Sequence, residues 1–332
     1  MKTLLLIGGN RDKDDGPLLT IALIARELGY QVKVISEPWH LNLEVENGDI
    51  FRTALENNSI DYVEQATLSP SDFEIYRNSS ATCILLNAVW FLKEDFLNIF
   101  PNRVFNYHAA KLPEERGAAG NSWKILSNSK TGALTLHHVV PELDQGMIAL
   151  QHPVSFPENC HTCSDFYAYL KTEEKALFSN FLTLMMADEL PPPEAQKEEE
   201  ALYWPRLLTS EHGYINWEWS GLQIERFIHA FDEPHPGAMS FIQEKKVRLR
   251  GVRLLKSPTD FHPFQAGIVV RKHKDHIFIA TVGGLLKVTT VMAENDEYLN
   301  DTIRVGTRFF TPRNVLESAM QYRPVQTPHG FK

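Results

Sequence analysis

The strongest constraint on the fold lies in the first 35 residues, where a strand, a helix and a strand follow one another. Thr3–Ile7 (TLLLI) is a short apolar run stopped by Gly8-Gly9. Leu18–Leu28 (LLTIALIAREL) carries apolar residues at helical spacing and stops at Gly29, and Gln31–Ile35 (QVKVI) is strand-like again. That order predicts two parallel strands joined by a crossover helix, the unit of an α/β sheet. Further strands are expected at Cys83–Leu86, Val104–Tyr107 and Leu134–Val140, with helices over residues 121–129 and Ser164–Asp188. Gly8-Gly9 is not a G-x-G-x-x-G fingerprint, so it marks a tight turn rather than a dinucleotide site.

The texture changes at residues 191–200 (PPPEAQKEEE), where three prolines and a charge run read as a linker. Beyond it, Glu225–Phe231 has helical spacing, and Lys246–Arg250, Gly267–Val270, Ile277–Val282 and Leu285–Val291 are short strands. Repeated short strands with turn signals predict a small barrel or sandwich. The chain therefore divides into a catalytic-type domain (1–190), a linker (191–200) and a β-rich domain (201–320). A length of 332 residues suits two domains.

A net charge of −9 gives no overall basic footprint for nucleic acid, although one basic patch would suffice. The N-terminal apolar run is too short for a signal peptide, and no stretch approaches the roughly 20 apolar residues of a membrane span. A cytoplasmic protein without membrane contact is expected. Cys160 and Cys163 form CHTC in a polar loop without a second ligand pair, so reduced thiols and no metal site are expected.

The chemistry-bearing stretch is Val104–Gly117, VFNYHAAKLPEERG. In an extended segment, positions i and i+2 share a face, so Asn106 and His108 point one way and Tyr107 the other. An imidazole exchanges protons near neutral pH, and an amide N–H can stabilise an oxyanion. Asp144, in the loop after LTLHHVV, can reach a histidine and set its tautomer and charge. No Ser or Cys nucleophile stands in a recognisable setting, which fits acyl transfer to a substrate that supplies the attacking group. On spacing alone, the first reading is that Asn106 and His108 cap a loop and Asp144 is a turn residue, because N-x-H is a weak pattern.

The sequence resembles the formyltransferases that use 10-formyltetrahydrofolate, whose core reads N-x-H-x-S-L-L-P…R-G and, further on, D-x-G-x-D-T-G. Asn106, His108, Leu112, Pro113, Arg116, Gly117, Asp144 and Gly146 match this pattern. Ala110, Lys111, Val140, Glu142 and Gln145 depart from it. Past the linker, Gly213–Trp217, Ile224–Phe231, Pro234–Ala238, Gly267–Val269 and Val305–Phe309 resemble the C-terminal domain of methionyl-tRNA formyltransferase. The resemblance implies a Rossmann-like, mostly parallel sheet with flanking helices, followed by a smaller open β-barrel. It implies 10-formyltetrahydrofolate as co-substrate and Asn106, His108 and Asp144 as catalytic residues. By position it puts the folate against Leu86, Val89, Trp90, Leu92, Val139 and Leu143, with Phe91 nearby. Each aromatic alone reads first as core packing.

The resemblance leaves several acceptors: a nucleotide-linked amino sugar, a hydroxylamine such as hydroxyornithine in siderophore synthesis, or initiator methionyl-tRNA. Residues 35–50 (ISEPWHLNLEVENGDI) stand where the tRNA enzyme carries a basic loop. They contain Glu37, Glu44, Glu46 and Asp49 and no Lys or Arg, which would repel phosphates. The alternating basic run Lys245–Arg253 on the other side reads mainly as a solvated strand face. Gly117–Trp123 opens a helix whose free N–H groups can hold an anion, and the resemblance to sugar N-formyltransferases puts this region near the acceptor, so Arg116, Gly117, Asn121 and Trp123 are expected beside it. The preferred reading is formylation of a nucleotide-linked amino sugar for a surface polysaccharide such as lipopolysaccharide. A formyltetrahydrofolate hydrolase and a folate-binding protein with a vestigial site are the other readings. A homodimer is left open.

Overall fold

The computed structural model describes residues 2–11, 13, 16–327 and 330–331. Its first part runs β1 (Thr3–Gly8), α1 (Leu18–Glu27), β2 (Gln31–Ser36), α2 (Pro38–Leu41), α3 (Phe51–Asn57), β3 (Asp61–Glu64), β4 (Thr82–Leu86), α4 (Glu94–Leu97) and β5 (Val104–His108). It continues through β6 (Arg116–Gly117), α5 (Gly120–Ser127), β7 (Thr131–His138), β8 (Ile148–Ser155) and α6 (Cys163–Ala187). Seven strands form one sheet in the order β3-β2-β1-β4-β5-β7-β8. The strands from β3 to β5 are parallel, and β7 and β8 are antiparallel to their neighbours.

The sequence patterns explain these elements. Residues 4–7 of β1 and all of β4 are buried, as expected of strands covered on both faces, and they read as unbroken apolar runs. In α1, Leu18, Ile21, Ala22 and Ala25 recur at i, i+3, i+4 and i+7 and are buried as one stripe. Thr162 and Asp165 form a capping box that starts α6, and Phe166, Leu170, Leu177, Phe178 and Phe181 bury its inner face. From β1 the chain builds outward through β2 and β3 on one side and then through β4 and β5 on the other, the reversal that opens a crevice beyond the carboxyl ends of the strands.

Beyond the sheet come β9 (Tyr203–Trp204), α7 (Thr209–His212), α8 (Gly221–Ala230), β10 (Ala238–Ile242), β11 (Lys245–Leu255), β12 (Val269–Lys272), β13 (Ile277–Thr281), β14 (Gly284–Ala293), β15 (Phe309–Phe310) and α9 (Arg313–Gln321). An antiparallel six-stranded sheet has the order β12-β13-β14-β11-β10-β15. A bridge between Ile268 and Arg308 draws its two edges together, so the sheet curves as a barrel. Ile224, Phe227 and Ile228 of α8 are buried in its core.

Two segments differ from their sequence reading. The run Lys246–Arg250 is half of an eleven-residue strand that passes through Gly251 at φ +59. Residues 191–200, read as a linker, dock on the first domain: Glu194 bridges to Ile148, and Gln196 bonds into the Asp144 loop. One apolar cluster runs without a break through both parts of the chain. Among the described residues, no helix is long and apolar enough to cross a membrane.

Candidate active site

The site forms where β5 meets β7 and two loops close over their ends. Antiparallel pairing sets Asn106 opposite His137 and His108 opposite Thr135. The period-2 expectation holds. Asn106 and His108 share a half-buried face, while Tyr107 turns to the other side and its hydroxyl donates to Glu174 Oε1 at 2.8 Å. Glu174 is also held by both terminal nitrogens of Arg11, each at 2.9 Å.

Asp144 reaches this face from the β7–β8 loop. Its backbone is left-handed at φ +55, a conformation that Asp tolerates better than most residues. The Gly117 N–H donates to Asp144 Oδ2 at 2.9 Å, and Gln196 Nε2 donates to the carbonyls of Asp144 and Gly146 at 2.8 and 2.7 Å. Gly146 is needed because a Cβ there would sit 1.7 Å from the His138 carbonyl oxygen. Gly117 is needed too: its φ is +106, and a Cβ would meet the Trp204 carbonyl oxygen at 2.2 Å.

The result is a cluster of four polar side chains. Asp144 Oδ2 lies 3.8 Å from His108 Nδ1, and Asp144 Oδ1 lies 3.5 Å from His137 Nε2. Asn106 Nδ2 lies 3.1 Å from His137 Nε2. Hydrogen-bond partners fix the tautomers. A carbonyl oxygen can only accept, so His108 Nε2, 2.7 Å from Glu115 O, must carry a hydrogen. The neutral ring then has its lone pair on Nδ1, facing Asp144. His137 Nδ1 donates to His138 O at 2.9 Å, and its Nε2 lies between Asn106 Nδ2 and Asp144 Oδ1. An amide nitrogen has two hydrogens, so at least one Asn106 N–H is left to donate.

Burial is the largest influence on His108 and lowers its pKa, with Asp144 and the Glu115 carbonyl opposing. Burial also pushes the Asp144 carboxyl up most strongly, but His137, His108 and the Gly117 N–H together hold it below the ordinary carboxylate value. The pair therefore favours a neutral imidazole beside an ionised carboxylate, a base with its counter-charge in place.

The other residues named from sequence are placed as follows. Arg116 is buried, with its guanidinium on Glu198 at 2.6 and 3.0 Å and on Gln196 at 3.0 Å. Asn121 is buried in the first turn of α5, and Trp123 Nε1 donates to Pro205 O at 2.8 Å. Arg116 and Trp123 thus bond their polar groups to the segment after the first domain. Leu86 lies in the core, and its carbonyl accepts from Gly9 N. Trp90, Leu92 and Val139 belong to one small apolar cluster, which brings loop 87–93 beside loop 139–144. Val89 is half-buried in the first of these loops, and Phe91 and Leu143 are exposed. Cys160 and Cys163 are free thiols whose pKa values burial raises, that of Cys163 to about 12. Among the described residues, no group of three His, Cys, Asp or Glu side chains is placed to hold a metal.

Sequence reasoning missed His137, Glu115 and Gln196. His137 was read only as part of a strand, although period 2 along β7 and the approach of β5 would have set it facing Asn106. Glu115 acts here through its carbonyl, and no residue type signals that. Gln196 lies in a composition that reads as spacer.

Two family models match the chain: "Formyl transferase" over residues 32–182 and "Formyl transferase, C-terminal domain" over residues 207–301. The chain belongs to the formyl transferase family. Among solved structures it is similar to an N-formyltransferase from Helicobacter canadensis in complex with folinic acid and dTDP-3-aminofucose. That match has a TM-score of 0.66 and 18% identity, covering 87% of this chain and 99% of the other. The sugar 3N-formyl transferase WlaRD, in the presence of dTDP and 5-N-formyl-THF, matches with a TM-score of 0.62 and 19% identity over 86% and 96% of the two chains. HypX from Aquifex aeolicus matches 90% of this chain but only 47% of its own length, with a TM-score of 0.57 and 18% identity. At these identities the likeness shows a shared fold.

Proposed function

We propose that the protein transfers the formyl group of 10-formyltetrahydrofolate to the amine of a nucleotide-linked amino sugar, in the assembly of a surface polysaccharide. The observation that carries this reading is the convergence of Asn106, His108 and Asp144 at the ends of β5 and β7, in a chain of the formyl transferase family. The donor would lie between loops 87–93 and 139–144, with Val89, Trp90, Leu92, Val139 and Leu143 around it.

The acceptor nitrogen attacks the formyl carbon, and the carbonyl electron pair becomes an oxyanion. The remaining Asn106 N–H stabilises that charge. His108 Nδ1 removes the proton from the attacking nitrogen, and Asp144 stabilises the imidazolium across 3.8 Å. The bond from carbon to N10 then breaks, and N10 receives a proton. The products are the formamide and tetrahydrofolate. Water must be kept from the carbon, since the same groups would otherwise serve hydrolysis.

Charge supports a small acceptor over tRNA. Residues 35–50 are acidic at four positions, and Glu46 is already held by Lys171 at 3.3 Å. Three cations of β11 are already paired: Lys246 with Glu294, Arg248 with Asp296 and Arg250 with Glu233. Structures of similar fold with dTDP or a dTDP-amino sugar add support for the nucleotide sugar. The test mixes the protein with 10-formyltetrahydrofolate and follows tetrahydrofolate release with nucleotide amino sugars, hydroxyornithine, charged tRNA or no acceptor. Release that needs a nucleotide amino sugar is expected. Release without acceptor, or only with tRNA, contradicts the reading.

A further inference from the structure

The segment 115–117 touches both members of the proposed base pair. Glu115 O accepts from His108 Nε2 at 2.7 Å, and Gly117 N donates to Asp144 Oδ2 at 2.9 Å. Two ion pairs anchor this strap from opposite sides. Arg116 holds Glu198 on the outside. Inside, the Glu115 carboxylate accepts from Lys124 Nζ, and Lys124 is 1% exposed. The same carboxylate accepts from Lys111 N at 2.9 Å, while Glu115 N donates to Lys111 O at 2.8 Å, closing one turn of chain.

The surroundings are shaped for this lysine. Its ammonium lies 5.0 Å from the centre of the Trp204 ring, and a Cβ on Gly132 would come within 2.6 Å of Lys124 Cε. A buried ammonium is costly unless paired, so its presence there calls for a role beyond filling space. The turn carries the Glu115 carbonyl that faces His108 Nε2.

We infer that Lys124 and Glu115 form a buried positioning pair that decides which nitrogen of His108 acts as the base. By clamping the 111–115 turn to α5, the pair aims the Glu115 carbonyl at Nε2. That nitrogen keeps its hydrogen, and the lone pair is confined to Nδ1, opposite Asp144. Lys124 touches no reacting atom and acts through Glu115. The inference rests on His108 being the base, but the tautomer it predicts is measurable whether or not transfer occurs.

The test is nitrogen-15 NMR of the His108 ring in the full-length protein, with His108→Gln for assignment. The wild type is expected to show protonated Nε2 and unprotonated Nδ1. In Lys124→Met the two signals should move toward each other as both tautomers become populated. In parallel, kcat for tetrahydrofolate release should fall roughly ten- to a hundredfold, with KM for the donor nearly unchanged. Should Lys124→Met fail to fold, Glu115→Gln/Lys124→Met removes both charges, and the same loss of a single tautomer is expected. A folded variant with the wild-type nitrogen pattern overturns the inference, and so does a wild type with the hydrogen on Nδ1. If the wild type transfers no formyl group, the function fails while the nitrogen signals still decide the positioning.

Discussion

Lys124 and Lys246 are both cations held by carboxylates, yet they stand in opposite settings. Lys124 of α5 is sealed against Glu115, and Lys246 lies on the outer face of β11, partly exposed beside a largely exposed Glu294. A buried pair cannot exchange its partner for water, so losing one member strands the other. An exposed pair is screened and replaceable. The basic strand is therefore the louder feature in the sequence and the weaker one in the molecule. The less visible Glu115–Lys124 pair sits one hydrogen bond from His108.

This contrast can be broken or sharpened by substitution. The largest effect is expected at the site itself: His108→Ala and Asp144→Ala should each lower tetrahydrofolate release by about 10²–10⁴-fold with the fold intact by circular dichroism. Near-wild-type turnover would remove either residue from the mechanism. Gly146→Ala comes next, because its methyl group has no room against the His138 carbonyl; activity should be lost together with the ordered Asp144 loop, read as faster amide exchange there. Lys124→Met should destabilise by about 3–5 kcal/mol in urea unfolding, and Glu115→Gln added to it should recover most of that. Equal stability of the single and double variants would contradict a sealed pair.

A smaller and signed effect concerns protonation. Burial lowers the His108 pKa, so the ring stays neutral further into acid than a free imidazole, whose value is about 6.5. Its C2-proton shift should titrate below that value, and activity should fall as pH drops through the same point. A titration above it would contradict the environment described. The smallest effect belongs to β11: Lys246→Gln should change stability by less than about 1 kcal/mol and leave kcat unchanged. A large loss of activity there would reopen a role for the basic face.

Much of the fold was legible because local pattern and tertiary demand agree. The unbroken apolar run of β1, the stripe of α1 and the Gly29 stop leave few alternatives to a parallel α/β start. Asn106 and His108 were legible for the same reason, since strand period alone places them together. What stayed hidden depends on partners distant in sequence. The sequence reading gave His137 no role, because only the β5–β7 register sets it against Asn106. The short helices α2 and α3 were not anticipated, because Pro38 and the polar run between them mask short helical turns. Gly251 looked like a strand end, but β11 continues through it. The proline-rich stretch looked like a spacer, yet Gln196 within it holds the Asp144 loop.

The most direct measurement follows an isotopically labelled formyl group from 10-formyltetrahydrofolate into a nucleotide amino sugar by mass spectrometry, with wild type and Asp144→Asn in parallel. The account predicts label on the sugar nitrogen with the wild type and very little with the variant. Label appearing only as free formate, or equally with both proteins, would contradict it.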